Sequence, residues 1–146
     1  MKVKVALDTS VLMDLLLEGR PEKESAEQIV AAAEAGLIEA QVSTQSIIDA
    51  AFTCRKQGVN REAFREAINK LRTVIKISTI DWLDLSWALA HDSGDFEDDM
   101  QYASAYSSVC DFFITRDKNL FTYNEDPNTP MTVISSKDFV AKMTED

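Results

Sequence analysis

The chain has 146 residues and a mass of 16.3 kDa, the size of one domain. Hydrophobic residues make up 45% and charged residues 27%, the balance of an ordinary globular protein rather than a disordered one. Fifteen Lys and Arg against 25 Asp and Glu give a net charge of −10. This charge argues against a protein held to nucleic acid by bulk positive charge. It leaves room for an enzyme whose bound cations supply the missing positive charge.

The cysteines and the N-terminus indicate the compartment. Cys54 and Cys110 are too few for a disulfide scaffold, and we expect them to be reduced packing residues. The first residues lack a long apolar region and a small-residue cleavage site, and no stretch approaches the roughly 18 apolar residues of a membrane span. The sequence therefore predicts a cytoplasmic protein that does not enter the membrane.

Hydrophobic periodicity predicts an alternation of strands and helices. The opening segment 3–7 is short, apolar and rich in Val, typical of a strand buried on both faces. Segment 73–79, TVIKIST, is β-branched and alternating. In chain order, we predict strand 3–7, helix 11–18, helix 22–36, strand 37–43, a helix capped by Ser43 or Thr44 and stopping at Gly58, a helix capped by Asn60, strand 73–79, a helix starting at Asp81, helix 94–109, strand 111–115, loop 122–130, strand 131–135 and a closing helix capped by Ser136.

This alternation indicates a parallel sheet with helices on both faces. We therefore predict an α/β fold of three layers, α/β/α, around a mostly parallel sheet of about five strands. No repeat, low-complexity tract or domain-scale linker interrupts the sequence, so residues 1–146 are interpreted as one domain.

Four carboxylates are candidates for one site. Asp8 follows the first predicted strand and Asp117 follows the fourth, and ligands of open parallel sheets bind at the carboxyl ends of the strands. Asp49 interrupts an otherwise apolar helix face, and Asp98 is the member of the acidic cluster 95–99 placed to face inward. We expect Asp8, Asp49, Asp98 and Asp117 to converge at one end of the sheet.

Each acid also has a structural interpretation. Asp8 can serve as a helix cap, Asp117 can start a turn, and Asp49 can lie on a surface turn of its helix. The remaining acids of the cluster are interpreted as complementing the positive N-terminus of their helix: Asp95, Glu97 and Asp99.

Electrostatics predicts what a convergent set of acids would bind. Two carboxylates about 5 Å apart repel by roughly 3 kcal/mol at an effective dielectric near 20. Four together bind protons or recruit cations, and hard oxygen ligands suit Mg²⁺ or Mn²⁺. The single His and the two scattered Cys argue against a zinc site. Two divalent ions about 4 Å apart could activate water and stabilise the leaving oxygen of a phosphodiester.

Four segments together resemble the PIN domain family, found in single-domain ribonucleases and in the VapC toxins of bacterial toxin–antitoxin pairs. Segment 1–12 (MKVKVALDTSVL) is similar to the opening strand and first acid of the family, and 42–49 to the segment carrying the second. Segment 95–103 (DFEDDMQYA) resembles the helix start with the third acid, and 111–117 (DFFITRD) the strand and turn with the fourth. The resemblance spans residues 3 to about 135 in the order and spacing of the family.

The resemblance implies a Mg²⁺- or Mn²⁺-dependent endoribonuclease with one or two ions held by Asp8, Asp49, Asp98 and Asp117. It also implies supporting roles for polar residues beside the acids, namely Thr9, Ser10 and Thr115. A homodimer and an antitoxin that plugs the acidic site are further implications. The second acid of the family is commonly Glu, so the shorter Asp49 predicts weaker metal affinity or contact through water.

Basic residues near the acids are weaker candidates for RNA contacts. Arg55 and Lys56 follow Asp49 on one helix, while Arg116 and Lys118 flank Asp117. All four could steer a phosphate backbone toward the acids, or they could be ordinary solvated side chains. The competing functional hypothesis is a binding module with the PIN fold that acts through RNA or protein partners without turnover.

Overall fold

The computed structural model describes residues 2–145, and within them five strands form one sheet. The order is β3-β2-β1-β4-β5, and every neighbouring pair is parallel. The predicted three-layer fold around a parallel sheet is confirmed. The strands are β1 (Val3–Leu7), β2 (Ile38–Ser43), β3 (Lys76–Ser78), β4 (Phe112–Ile114) and β5 (Thr132–Ile134).

Helices connect the strands and cover both faces of the sheet. None of the helices within residues 2–145 is long and apolar enough to cross a membrane. The helices are α1 (Thr9–Leu16), α2 (Lys23–Glu34), α3 (Thr44–Lys56), α4 (Arg61–Leu71), α5 (Trp82–Ala90), α6 (Phe96–Ser107) and α7 (Ser136–Thr144), with a 3-10 helix at Leu120–Glu125.

The alternation of side chains along β1 divides the core in two. Val5 and Leu7 belong to one apolar cluster, which includes residues of α1, α2, α3 and α7. Ala6 points the other way and belongs to a second cluster with Tyr102 of α6 and Leu120 of the 3-10 helix. Successive strand residues face opposite sides of a sheet, and Val5, Ala6 and Leu7 are all buried, so β1 is covered on both faces. This is the origin of the three layers.

Several boundaries of helices and strands in the structure differ from the predicted ones. The strand predicted at 73–79 shortens to Lys76–Ser78, because this edge strand pairs on one side only, with Gln41–Ser43 of β2. The closing helix is capped by Ser135 and not by Ser136, since the Asp138 N–H donates to Ser135 Oγ at 3.1 Å. The predicted loop 122–130 begins inside the 3-10 helix.

The sheet topology brings two chain reversals together. β1 lies between β2 and β4, so the loops after β1 and after β4 leave the same edge side by side. The Asp8 N–H donates to the Ile114 carbonyl at 2.9 Å and continues the ladder one residue beyond β1. Asp8 and the segment after Ile114 are therefore placed against each other by backbone hydrogen bonds alone.

The core assignment predicts a contrast between two leucines. Leu12 of α1 is 0% exposed, and we expect Leu12→Ala to lower the free energy of unfolding by about 2–5 kcal/mol. Leu37 is 69% exposed, and Leu37→Ala should change the free energy of unfolding by no more than about 0.5 kcal/mol. Urea unfolding of both variants measures the difference, and equal losses would contradict the assignment.

Candidate acidic site

Asp8 is the central acid of the site and is buried, with 7% of its surface exposed. It occupies the N-cap position of α1, but its side chain makes no capping hydrogen bond. Instead, its Oδ2 accepts hydrogen bonds from Thr115 Oγ1 at 2.7 Å and from Ser10 Oγ at 3.2 Å. The side chain is thus oriented by two hydroxyls, one on α1 and one after β4.

Asp117 and Asp98 form a contacting pair of carboxyl groups next to Asp8. Asp117 lies in the turn after β4, where its N–H donates to Thr115 Oγ1 at 2.9 Å and its Oδ1 accepts the Asn119 N–H at 2.9 Å. Asp98, in the first turn of α6, accepts Asn119 Nδ2 at 3.1 Å. The two carboxyl groups lie within hydrogen-bonding reach of each other. Asn119 therefore contacts both members of the pair.

Asp49 forms a second carboxyl pair, with Glu97. Asp49 Oδ1 accepts Gln45 Nε2 at 2.9 Å within α3, whereas its buried Oδ2 has no hydrogen-bond partner among the described residues. The Glu97 carboxyl, at the start of α6, lies within hydrogen-bonding reach of the Asp49 carboxyl. The negative charge of Asp8 also raises the pKa of Glu97. The structure thus brings five acids together, the four expected ones and Glu97.

A network of hydroxyl and amide groups connects the elements that carry these acids. Thr9 Oγ1 of α1 donates to Ser46 Oγ of α3 at 2.9 Å, and Gln101 Nε2 of α6 donates to the same oxygen at 3.1 Å. Ser43 Oγ, at the end of β2, donates to Gln101 Oε1 at 3.0 Å. Ser43, Ser46 and Gln101 are buried, so these bonds fix α1, α3 and α6 relative to one another.

Burial and mutual repulsion raise the pKa values of three of the acids. Burial, followed by the contact with Asp117, raises the pKa of Asp98 to about 7, and the Asn119 hydrogen bond opposes the shift. Burial also raises the pKa of Asp8, against the hydrogen bonds from Thr115 and Ser10. Contact with Asp49 raises the pKa of Glu97, with burial adding to it. Burial is the largest cause for Asp8 and Asp98 and the contact with Asp49 is the largest for Glu97, so burial and repulsion both oppose ionisation of the site.

The donor set fits a hard divalent cation with part of its water shell retained. All five acids offer carboxylate oxygens, which suit Mg²⁺ and Mn²⁺, and the buried Asp49 Oδ2 without a donor is available to a cation. Within residues 2–145, no three His, Cys, Asp or Glu side chains are close enough to hold one ion by themselves. Water ligands would complete the coordination, and Mg²⁺ usually keeps several of its waters.

The candidate RNA-contacting residues lie in three different environments. The Arg116 guanidinium is engaged inside the protein, where its Nη2 lies 2.7 Å from Asp14 Oδ1. Arg55 and Lys56 are exposed at the end of α3, over the Phe52 ring at 5.7 and 5.0 Å from its centroid. Lys118 is exposed in the turn directly after Asp117.

The acidic cluster at 95–99 separates into three roles. Asp95 caps α6 by accepting the Asp98 N–H at 3.0 Å, as its helix-terminal interpretation predicts. Asp99 is buried and accepts hydrogen bonds from the Tyr123 hydroxyl and from the Ser93 N–H, the latter at 3.2 Å. Glu97 is the site residue that sequence reasoning missed, because an acid in a first helical turn has an ordinary explanation. Adjacent residues of a helix point in different directions, so its position beside Asp98 gave no signal either.

The fold and the site together define a class: parallel α/β domains with a group of acids at the carboxyl edge of the sheet, beside strands β1 and β4. A model of the PIN domain matches residues 4–119 of the chain. This chain belongs to the PIN domain family. A comparison with curated proteins finds no match.

Solved structures with the same fold include three toxin–antitoxin proteins. VapC20 of Mycobacterium tuberculosis, a Sarcin-Ricin loop cleaving toxin, is 17% identical with a TM-score of 0.64, covering 82% of this chain and 94% of its own. VapBC2 of Rickettsia felis, bound to a promoter DNA fragment, is 8% identical with a TM-score of 0.66, covering 91% and 98%. A toxin–antitoxin complex from Klebsiella pneumoniae is 19% identical with a TM-score of 0.64, covering 90% and 97%. At these identities the similarity establishes the fold.

The raised pKa of Asp98 predicts the pH dependence of stability. Because the pKa is about 7 in the folded state and 3.8 without the fold, the native protein binds more protons between these values. The contribution of Asp98 to stability is therefore present below about pH 4 and is lost as the pH rises toward 7. Asp98→Asn removes this contribution.

Urea unfolding at pH 5 and pH 8, with chelator, measures the effect. We expect wild type to lose more stability than Asp98→Asn over this interval. Asp8 and Glu97 titrate in the same direction but are present in both proteins, so the difference reports on Asp98 together with its contact to Asp117. Identical pH dependence of the two proteins would contradict the assignment.

Proposed function

We propose that the protein is a divalent-metal-dependent endoribonuclease that hydrolyses RNA phosphodiester bonds as the toxin of a toxin–antitoxin pair. The observation that carries the proposal is the convergence of five acids from four segments at one edge of the sheet, in two contacting pairs. Membership of the PIN family and the fold shared with VapC structures support it. In this proposal one domain spanning residues 1–146 acts in the cytoplasm.

The acids would hold one or two Mg²⁺ or Mn²⁺ ions. Asp8, Asp98 and Asp117 are the proposed ligands, with waters completing the coordination because no three described acids are close enough to hold one ion by themselves, and Asp49 contributes together with Glu97. When bound, such ions supply an activated water and stabilise the leaving oxygen of the phosphodiester. They also offset the negative charge that otherwise repels RNA.

The side chains around the acids would orient them for this chemistry. Thr115 and Ser10 donate to the same oxygen of Asp8 and so fix the rotation of its carboxylate. Asn119 orients Asp98 in the same way. Because the pKa of Asp98 is raised to about 7, its proton must leave when a cation binds, and cation affinity should rise with pH. Lys118 is the exposed basic residue best placed to meet an RNA phosphate, and Arg55, Lys56 and Arg116 remain candidates.

The first test replaces one acid at the site and one acid far from it. We expect Asp8→Asn to abolish saturable Mn²⁺ binding measured by calorimetry, and to reduce cleavage of a mixed-sequence RNA by at least about 100-fold, beyond the usual effect of an outer-shell change. Glu39→Gln, an exposed acid near the amino end of β2 at the opposite edge of the sheet, should leave both unchanged.

The outcomes separate the two functional hypotheses. Binding and cleavage lost together in Asp8→Asn would support the metal nuclease. If wild type binds no Mn²⁺ at millimolar concentration, the nuclease proposal fails. The alternative, a catalytically inactive binding module with the PIN fold, then replaces it.

An apolar groove between α3 and α4 supports an antitoxin as partner. The groove has a volume of about 750 Å³, and α4 has no fully buried residue, so its apolar face is only partly covered. Ile48, Phe52, Phe64 and Ile68 line it. Four arginines border it in a chain whose net charge is −10: Arg55, Arg61, Arg65 and Arg72. This chemistry suits an amphipathic segment of an antitoxin that carries acidic residues beside its apolar face.

A second exposed apolar surface supports the homodimer. On α5, Trp82, Leu85 and Leu89 are 72%, 40% and 68% exposed, and their spacing places them on one helix face. A contiguous apolar face of this kind marks a protein contact site. We propose that α5 packs against a second copy of the chain.

Two variants distinguish the two surfaces. Leu89→Lys should shift the mass measured by size exclusion with light scattering from twice 16.3 kDa to 16.3 kDa, without loss of antitoxin binding. Ile68→Lys should leave the dimer intact and weaken capture of an amphipathic helical peptide that carries acidic residues beside its apolar face. A monomeric wild type would contradict the dimer, and equal capture by Ile68→Lys would contradict the groove.

A further inference from the structure

Asp14 of α1 is a buried acid that the proposed metal chemistry does not use. It is 0% exposed; its Oδ1 accepts a hydrogen bond from Arg20 Nε at 3.0 Å and forms an ion pair with Arg116 Nη2 at 2.7 Å. A buried carboxylate is costly unless it is paired and hydrogen-bonded, so both arginines contribute to keeping it inside. The sequence of α1 is otherwise apolar around Asp14, which makes this acid an exception that needs an explanation.

The two arginines come from different parts of the chain. Arg20 lies in the short loop after α1, close to Asp14 in sequence, and holds the end of its own helix. Arg116 comes from the turn after β4, between Thr115 and Asp117. Through Arg116, Asp14 is therefore connected to the turn that carries part of the acidic site.

The same turn is attached to α1 at a second point. The Arg116 N–H donates to Ser10 Oγ at 3.1 Å, and Ser10 lies one helical turn before Asp14 on the same face of α1. The side chain and the main chain of Arg116 are thus both held by α1. With its position fixed, Thr115 can donate to Asp8, and Asp117 can lie against Asp98.

We propose that Asp14 is a positioning residue for the acidic site, acting through Arg116 to fix the turn formed by Thr115, Arg116 and Asp117. The expected effect on metal binding rests on the proposed function. The attachment of the turn to α1 rests on the ion pair and hydrogen bonds described above. It assigns to Arg116 an internal role in addition to any contact with RNA.

The chain offers a matched pair of variants. Arg116→Met and Arg20→Met each remove one guanidinium from the same Asp14 oxygen, and the two side chains are similarly exposed, at 26% and 29%. Only Arg116 lies on the turn. We expect Arg116→Met to weaken Mn²⁺ binding, measured by calorimetry without RNA, by about 10–100-fold, the usual effect of losing an outer-shell partner. Arg20→Met should change it by no more than about twofold, and Arg116→Lys should restore part of the affinity.

Hydrogen exchange without metal tests the geometry separately from the function. The amides of Asp117 and Asn119 are hydrogen-bonded to Thr115 Oγ1 and Asp117 Oδ1, each at 2.9 Å. We expect both to exchange faster in Arg116→Met than in wild type, and at the wild-type rate in Arg20→Met.

The two measurements separate the possible failures. If both methionine variants weaken Mn²⁺ binding and loosen the turn equally, Asp14 is a general stabiliser and the proposal is overturned. It is also overturned if Arg116→Met leaves the exchange unchanged. If exchange responds as expected while wild type binds no Mn²⁺, Asp14 positions the turn but the metal-dependent function is wrong.

Discussion

Repulsion between carboxylates is the constraint on which the rest of the structure depends. Five acids are held at one edge of the sheet, and two pairs of them are in contact, although each charge raises the free energy of adding the next. Such a site persists only if the surrounding elements are fixed by interactions elsewhere. Burial of the two apolar clusters provides stabilising free energy that offsets this repulsion. The hydroxyl and amide hydrogen bonds around Ser46 and Gln101 set the positions of the helices.

The strand order explains why the acids meet at this particular edge. From β1, the chain extends the sheet to one side through β2 and β3 and later to the other side through β4 and β5. The loops on either side of such a switch point diverge and leave a crevice at the carboxyl ends of the strands. Asp8 and Asp117 come from the two strands that border the crevice, while α3 and α6 bring Asp49 and Asp98 to it.

The sequence predicts the fold better than the roles of individual side chains. A Val-rich β1 and strands alternating with helices are sufficient for a parallel three-layer fold, and an acid directly after a buried strand must lie at the sheet edge. Glu97 could not be assigned to the site, because an acid in the first turn of a helix is explained by the helix itself. Asp14 carried a signal, a single carboxylate within an apolar helix, but its partner Arg116 is distant in sequence and no spacing rule connects them. Edge strand β3 was predicted too long because local propensity carries no information on the length of the partner ladder.

The arginines lie at the groove and around Asp14. The chain has six arginines. Four border the groove between α3 and α4, and the other two are engaged by Asp14. The arginines therefore lie along the groove or contact Asp14. Lys118 is the main exposed basic residue beside the acidic edge that can contact a phosphate. An RNA strand approaching that edge meets a negative field unless cations are bound there. In the proposed function, metal binding and RNA binding at this edge are therefore coupled, because each bound cation removes part of the repulsion that opposes the RNA.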